Sequence, residues 1–410
     1  MAGSTQSTPR GSGRGHRVTI ADIARRAGVT SAAVSLAVNG RPGVSDATRE
    51  RIIAIARELQ WEPSPAARAL AGAPVLTIGM VLARPAEVLG AEAFFGAFVA
   101  GLQEVLSRED YSLQMKIVET PEAEIDTYRR WFGQRRVDGV VMVDLRPEDP
   151  RVPALEQLGL PALVIGGPGH HGRLPSVYVD DAEATRLLVD HLAGLGHTRI
   201  ARVAGEATFL HTLQRDRAFT ERCEELGIEG VLQEAGFGAR GAETATAQLL
   251  ASSTPPTAIL FDSDEMALAG SHTLLEAGRR IPEDVAVASY EDSPLARTHR
   301  PPITAIGRSA TEYGRVAARR LLGIIADGAA GSATNGADAA VNASSSAADG
   351  HAAPEDRVII PELIVRGSTA GEEQAGGKVP AQASASPSAS SREGRAEKLE
   401  DAAPAAAPSA

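Results

Sequence analysis

Cysteine is nearly missing from this sequence: Cys223 is the one thiol in 410 residues. One thiol cannot close an intramolecular disulfide, which suits a reducing cytoplasm, and a buried structural role is the one expected of it. Long apolar runs are missing too. No stretch approaches the length of about 18 residues that a bilayer-spanning helix needs, and the N-terminus lacks the apolar core of a secretory signal. No membrane partner is therefore expected, and the chain reads as a soluble cytoplasmic protein. Metal-ligand spacing is absent as well: His170 and His171 are adjacent, with no second pair to complete a site, and read as a solvated loop. No serine, histidine and acid stand in the strand-turn-helix setting of a nucleophile elbow.

Apolar residues make up 43% of the chain, enough for more than one large core at this length. The charge is unevenly spread. Residues 1–72 hold ten arginines and five acids, a net of +5, whereas the whole chain is −11, which leaves −16 on the remainder. A basic head on an acidic body is the electrostatic footprint of a phosphate-binding segment.

Three helical patterns lie within that head. Ile20, Ile23, Ala24 and Ala27 follow the i, i+3, i+4, i+7 spacing of one buried face, and Ile52, Ile55, Ala56 and Leu59 repeat it. Val34, Ala37 and Val38 mark a shorter helix between them. Thr19 and Ser45 stand at N-cap positions, with Asp22 three residues after Thr19; Gly28 ends the first helix and Thr30 caps the second. Two helices joined by a short glycine-containing turn form a helix-turn-helix over 18–62, whose second helix enters the DNA major groove. Spacing alone fits an ordinary helical bundle equally well; the charge asymmetry favours DNA.

Residues 1–17 have few apolar side chains and are expected to be disordered. The 63–73 stretch has Pro65 near its start and Gly72 at its end, leaving about two turns of helix, too few to be stable alone. From Pro74 the texture changes to short β-branched strands alternating with helical patterns, which implies βαβ units and parallel sheets covered on both faces. The strands are Leu76–Leu82, Ser112–Val118, Gly139–Val143, Ala162–Ile165, Ile200–Ala204, Ala258–Phe261 and Val285–Ser289. So many strands favour two doubly wound α/β lobes over one sheet, as an effector-binding and dimerisation unit over 74–369. An Ala/Gly/Ser-rich run at about 326–354 reads as a disordered insertion, and 370–410 as a disordered tail.

The segment VTIADIARRAGVTSAAVSLAVNGRPGVSDATRERIIAIARELQWEPSPAARALAG at 18–72 closely resembles the DNA-binding head of the lactose-repressor (LacI/GalR) family of bacterial transcription regulators. The likeness continues through VDGVVMV at 137–143, SVYVDDAEATRLLVDHLAGLGHTRIARVAG at 176–205, PTAILFDSDEMALAGSHTLLEAGRRIPEDVAVASYEDSPLA at 256–296 and PELIVRGST at 361–369. It implies an all-α helix-turn-helix head on a periplasmic-binding-protein-like α/β core. It also implies a cytoplasmic, nucleoid-associated homodimeric repressor of operator DNA, controlled by a small effector, a sugar or sugar derivative, with no cofactor.

The resemblance assigns DNA contacts to Thr19, Thr30, Ser31, Ala32, Ser35, Leu36 and Asn39. It adds Arg68 and Leu70 in a minor-groove hinge helix, Leu70 as the apolar wedge. Arginine is usual in the family where Leu36 stands and threonine where Ala33 stands, so direct reading of guanine should be weaker here and DNA deformability more important. It assigns the effector to Phe94, Phe95, Arg215, Asp262, Ser263, Asp264 and Glu291. Some of these have plainer readings: the two phenylalanines as core, Asp264 as a helix cap. Ser263 replaces a usual asparagine, Glu291 a usual aspartate, and glycine (Gly166 or Gly167) stands where aspartate is common, so the pocket chemistry is altered.

One enzymatic reading competes. Gly236, Gly238 and Gly241 fit GxGxxG ahead of a helical pattern, with Asp262 following at the distance of a dinucleotide fingerprint. A second match, Gly167, Gly169 and Gly172, leads to Pro175 rather than a helix. The run Val231–Ala235 makes a poor buried strand, which counts against a Rossmann-like nucleotide-binding enzyme with an accessory head.

Overall fold

The computed structural model describes residues 18–62, 73–84, 93–335, 357–370 and 378–380. The N-terminal segment, the expected hinge helix with Arg68 and Leu70, and residues 381–410 lie outside the described residues.

The head is three helices, α1 (Ile20–Ala27), α2 (Ser31–Val38) and α3 (Asp46–Glu58). Its core is Ile23, Ala24, Ala27, Val34, Ala37, Ile52 and Ala56, drawn from all three faces, with Ile20, Val38, Ile55 and Leu59 packed at the edge. The Asp22 carboxylate accepts from the Thr19 amide at 3.0 Å and the Thr19 hydroxyl at 2.7 Å, tying down the start of α1. Gly28 ends the helix at φ 64°, a left-handed turn that favours glycine. Thr30 caps α2 by accepting from the Ala33 amide at 3.2 Å. Ser45 holds the N-cap position of α3, but its hydroxyl pairs with Thr48 rather than with a backbone amide.

The body has two sheets. The first lobe is built on β1 (Thr77–Leu82), β2 (Ser112–Ile117), β3 (Gly139–Met142), β4 (Ala162–Ile165), β5 (Ser176–Val179) and β11 (Arg357–Ile359). Their order is β11-β5-β4-β3-β1-β2, every pairing parallel. Helices α4 (Ala93–Arg108) and α12 (Ala310–Asn335) cover one face, and α5 (Pro121–Gly133) and α6 (Arg151–Leu158) the other.

The second lobe orders its strands β13-β12-β10-β9-β8-β6-β7. These are β6 (Arg199–Ala204), β7 (Glu229–Glu234), β8 (Ala258–Phe261), β9 (Ala286–Ser289), β10 (Thr304–Gly307), β12 (Glu362–Ile364) and β13 (Lys378–Pro380), with β12 and β13 antiparallel. Its helices are α7 (Asp181–Gly194), α8 (Leu210–Leu226), α9 (Ala239–Leu250), α10 (Asp264–Glu276) and the short α11 (Pro294–Thr298). Cys223 is buried in α8, and burial pushes its thiol up to about 11. The chain passes between lobes three times, at β5 to α7, β10 to α12 and β11 to β12.

Three expectations change. The run expected to be a disordered insertion from 326 is helical through Asn335, because an established helix adds one hydrogen bond per residue and alanine favours it; residues 336–354 lie outside the described residues. Within the expected tail, Ala370 is buried and Lys378–Pro380 pairs with β12, since an open strand edge offers backbone groups whatever the side chains. The run before Gly236, Gly238 and Gly241 is a strand after all, β7. It reads poorly because it is a sheet edge with Glu229, Leu232 and Glu234 exposed.

Candidate DNA-binding head and effector cleft

Ser31 and Ala32 are exposed on the first turn of α2, beside the exposed cap Thr30. Ser35, Leu36 and Asn39 are half-buried. The Asn39 side-chain amide donates to the Ser35 carbonyl at 2.8 Å, so it is turned onto its own helix rather than outward. Leu36 leans over the next turn, where a Cβ added to Gly43 would lie 3.2 Å from its methyl carbon. Arg49 of α3 donates to the carbonyls of Ala37 at 2.9 Å and Arg41 at 2.7 Å, fixing the end of α2. One basic charge of the head is therefore structural, which residue counting misses.

Both lobes have the strand order in which ligands bind beyond the carboxyl ends of the strands, where the order reverses. Here those ends face one another across a cavity of about 680 Å³, including the space at its mouth. Six of the seven expected effector residues line it: Phe94, Phe95, Arg215, Asp262, Ser263 and Glu291. Asp264 does not. It opens α10 behind Ser263, whose hydroxyl caps the helix by accepting from the Met266 amide at 3.2 Å.

Asp262 lines the wall but is engaged from behind. It accepts from Arg202 at 2.7 and 2.9 Å and from the Gly205 amide at 2.8 Å. Burial opposes its charge, but Arg202 and Arg215 outweigh that and hold the carboxyl below the usual range. Arg215, 2% exposed, binds Asp181 at 2.6 Å, and its guanidinium lies 4.4 Å from the Tyr290 ring centre. Glu291 pairs with Arg308 at 3.1 Å; burial nevertheless raises its carboxyl.

The sequence reading missed Arg84, Asp144, Asp181, His211, Phe237 and Arg308, all of which line the cavity. Arg84 grips Asp144 through two bonds of 2.6 and 2.8 Å, and its guanidinium faces Phe95 of its own lobe and Phe209 and Phe237 of the other, at 5.2, 4.7 and 5.1 Å from the ring centres. Beneath it, the fully buried Arg151 joins Glu124, Asp149 and the Asp144 carbonyl, which steadies the loops bearing both partners. The signal available was position: Arg84 and Asp144 each lie two residues beyond a strand end, and Asp181 sits in the quoted VDD.

Phe237 comes from the glycine-rich stretch. Its ring lies against Gly205, where a Cβ would be 2.2 Å away, so the glycines bring an aromatic wall up to the cavity. The Asp262 that completes the fingerprint spacing is the one held by Arg202. The His171 ring donates from Nδ1 to the Leu174 carbonyl oxygen at 2.7 Å, within its own loop. No group of three metal-ligating side chains occurs among the described residues, and no helix among them is long and apolar enough to cross a membrane.

Residues 19–64 match the model of bacterial regulatory proteins of the lacI family, and residues 189–369 match a periplasmic binding protein-like domain. The HTH-type transcriptional regulator CelR of Thermobifida fusca is 30% identical over 316 residues, which cover 75% of this chain and 92% of CelR. A LacI family transcriptional regulator from Bifidobacterium animalis subsp. lactis is 32% identical in structural alignment, with a TM-score of 0.61 over 72% of this chain and 98% of that one. A CelR–cellobiose complex aligns at 27% identity and a TM-score of 0.62, covering 86% of this chain and all (100%) of that one. A helix-turn-helix head and two facing α/β lobes in one chain, with relatives of this similarity and coverage, place the protein in the lacI family of bacterial transcriptional regulators.

Proposed function

We propose that the protein represses transcription in the cytoplasm as a homodimer on a pseudo-palindromic operator, and that a saccharide in the interlobe cleft controls its grip. The observation that carries this is the cleft itself: it is formed by the carboxyl ends of strands from both lobes, which are joined by three crossovers, so a ligand that touches both lobes when they close favours their closure. Ser31 and Ala32 offer the groove-facing contacts, and Arg68 and Leu70 the hinge. The CelR neighbour with cellobiose supports a sugar as the ligand class. The open sheet edges carry apolar residues, Met115 and Ile117 on β2 at 40% and 45% exposure and Leu232 on β7 at 44%, which suits a second copy of the chain. A coupling of about 1–3 kcal/mol between cleft and head would change operator occupancy by roughly 5 to 150 fold.

The test is direct. Genome-wide binding maps supply the operator, and gel-shift titration of the full chain then measures its affinity with and without saccharides taken up by the neighbouring gene products. A change of fivefold or more with one of them is expected. Specific operator binding that no saccharide alters would reject the effector reading and leave the DNA-binding reading in place.

A further inference from the structure

The arginines around the cleft are already matched within the chain. Arg84 is paired with Asp144 at 2.6 Å, Arg215 with Asp181 at 2.6 Å and Asp262 at 3.5 Å, Arg202 with Asp262 at 2.7 Å, and Arg308 with Glu291 at 3.1 Å. Four guanidinium groups thus face these four carboxylates, which line the cleft, and Arg202 also pairs with Asp216. The carboxylates that line the cleft are largely withdrawn from water, with the most exposed, Glu291, at 16%.

Hydrogen-bonding capacity remains. Arg308 lines the cavity, and its Nε is buried with no partner. The His211 ring lies flat against Phe209, with centres 5.7 Å apart, and opens on the cavity. Burial, followed by the nearby Arg215, Arg84, Arg308 and Arg202, keeps this imidazole uncharged, so it presents one donor and one acceptor nitrogen. A hydroxyl can serve such groups without disturbing an ion pair, and Phe94, Phe95 and Phe237 add apolar lining. A phosphate or carboxylate would instead bring unmatched charge into a water-poor site, or capture an arginine and strand its buried acid.

We infer that this cleft takes an electrically neutral, hydroxyl-rich effector and discriminates against anionic counterparts such as sugar phosphates and sugar acids. The inference rests on the effector reading above and narrows it.

Inorganic phosphate is the probe, and thermal unfolding of the full chain in phosphate against chloride at matched ionic strength is the readout. The basic head is identical in all variants, so differences between variants report the cleft. Arg308→Ala should leave the phosphate response of the wild type unchanged. Glu291→Gln releases Arg308, and Asp144→Asn releases Arg84. Each should bind phosphate at least tenfold more tightly than wild type, about 1.4 kcal/mol, and so unfold at a higher temperature in phosphate relative to chloride. A wild-type response that Arg308→Ala or Arg84→Ala abolishes overturns the inference, as does the absence of any gain in both carboxylate variants. Neither outcome depends on a saccharide, so the saccharide titration of operator binding tests the effector reading separately.

Discussion

Leu36 is the residue at which the sequence leads us to expect this head to depart from the family's reading of DNA. Its side chain is half-buried over the Gly43 turn, and the carbonyl beside it, that of Ala37, is held by Arg49. An aliphatic chain there can touch a thymine methyl but cannot grip guanine through two hydrogen bonds. Leu36→Arg should therefore move the preferred half-site toward guanine at one position, with a gain of about 1–3 kcal/mol for that base, as read by selection from randomised half-sites. An unchanged preference would place the specificity elsewhere in the head or hinge. The cleft residues tell a related story at this scale. Phe94, Ser263 and Glu291 were legible because each lies at or just beyond a recognisable strand or helix end, and Arg215, in the second turn of α8, through the family resemblance. His211 and Phe237 were not, because their importance comes from side chains meeting in the folded cleft; Arg84 had its place two residues beyond a strand end as a signal, but not the rings of the other lobe that it meets.

Among the elements, α12 leaves the second lobe and returns to cover the first, and it does so through a glycine contact with α4. A Cβ at Gly101 would stand 1.9 Å from the Thr311 carbonyl oxygen, and one at Gly314 would stand 2.1 Å from that of Phe98. Only glycine allows the two backbones so close. Gly101→Ala should destabilise the body by about 1–3 kcal/mol, the usual range for overpacking, seen as a lower urea midpoint at unchanged slope. Gly96→Ala on the same helix is the control: nothing lies within 4 Å of the added Cβ, and helix propensity makes it neutral or slightly stabilising. Equal effects of the two would refute the contact. The element that sequence patterning undervalued, β7, shows the same dependence on neighbours, since its exposed edge removes the apolar pattern by which buried strands are recognised.

For the whole molecule, the two lobes meet over the cavity through more than the crossovers. The Leu210 amide donates to the Leu145 carbonyl at 2.8 Å, and Phe209 of the second lobe lies between Arg84 and Arg146 of the first, 4.7 and 5.3 Å from its ring centre. His211 beside this seam is held well below the ordinary imidazole range by burial and then by four arginines. The unfolded chain consequently takes up the proton first, so the histidine's contribution to stability is complete above about pH 6.5 and declines as pH falls below it. His191 and His197 are shifted the same way, chiefly by burial, so the comparison must be between proteins. His211→Gln should lose less stability than wild type between about pH 7 and 5 in urea unfolding; identical losses would assign the acid sensitivity to other groups. The sequence by itself determined the helix-turn-helix, the charge split between head and body, and the α/β character of the lobes, because caps, apolar periodicity and net charge are local or additive properties. Tertiary structure alone decided which arginine meets which carboxylate at the cleft, and therefore the charge that a ligand there would meet, because each pair joins residues of one lobe that strand order brings together, Arg202 on β6 and Asp262 just beyond the neighbouring β8 among them.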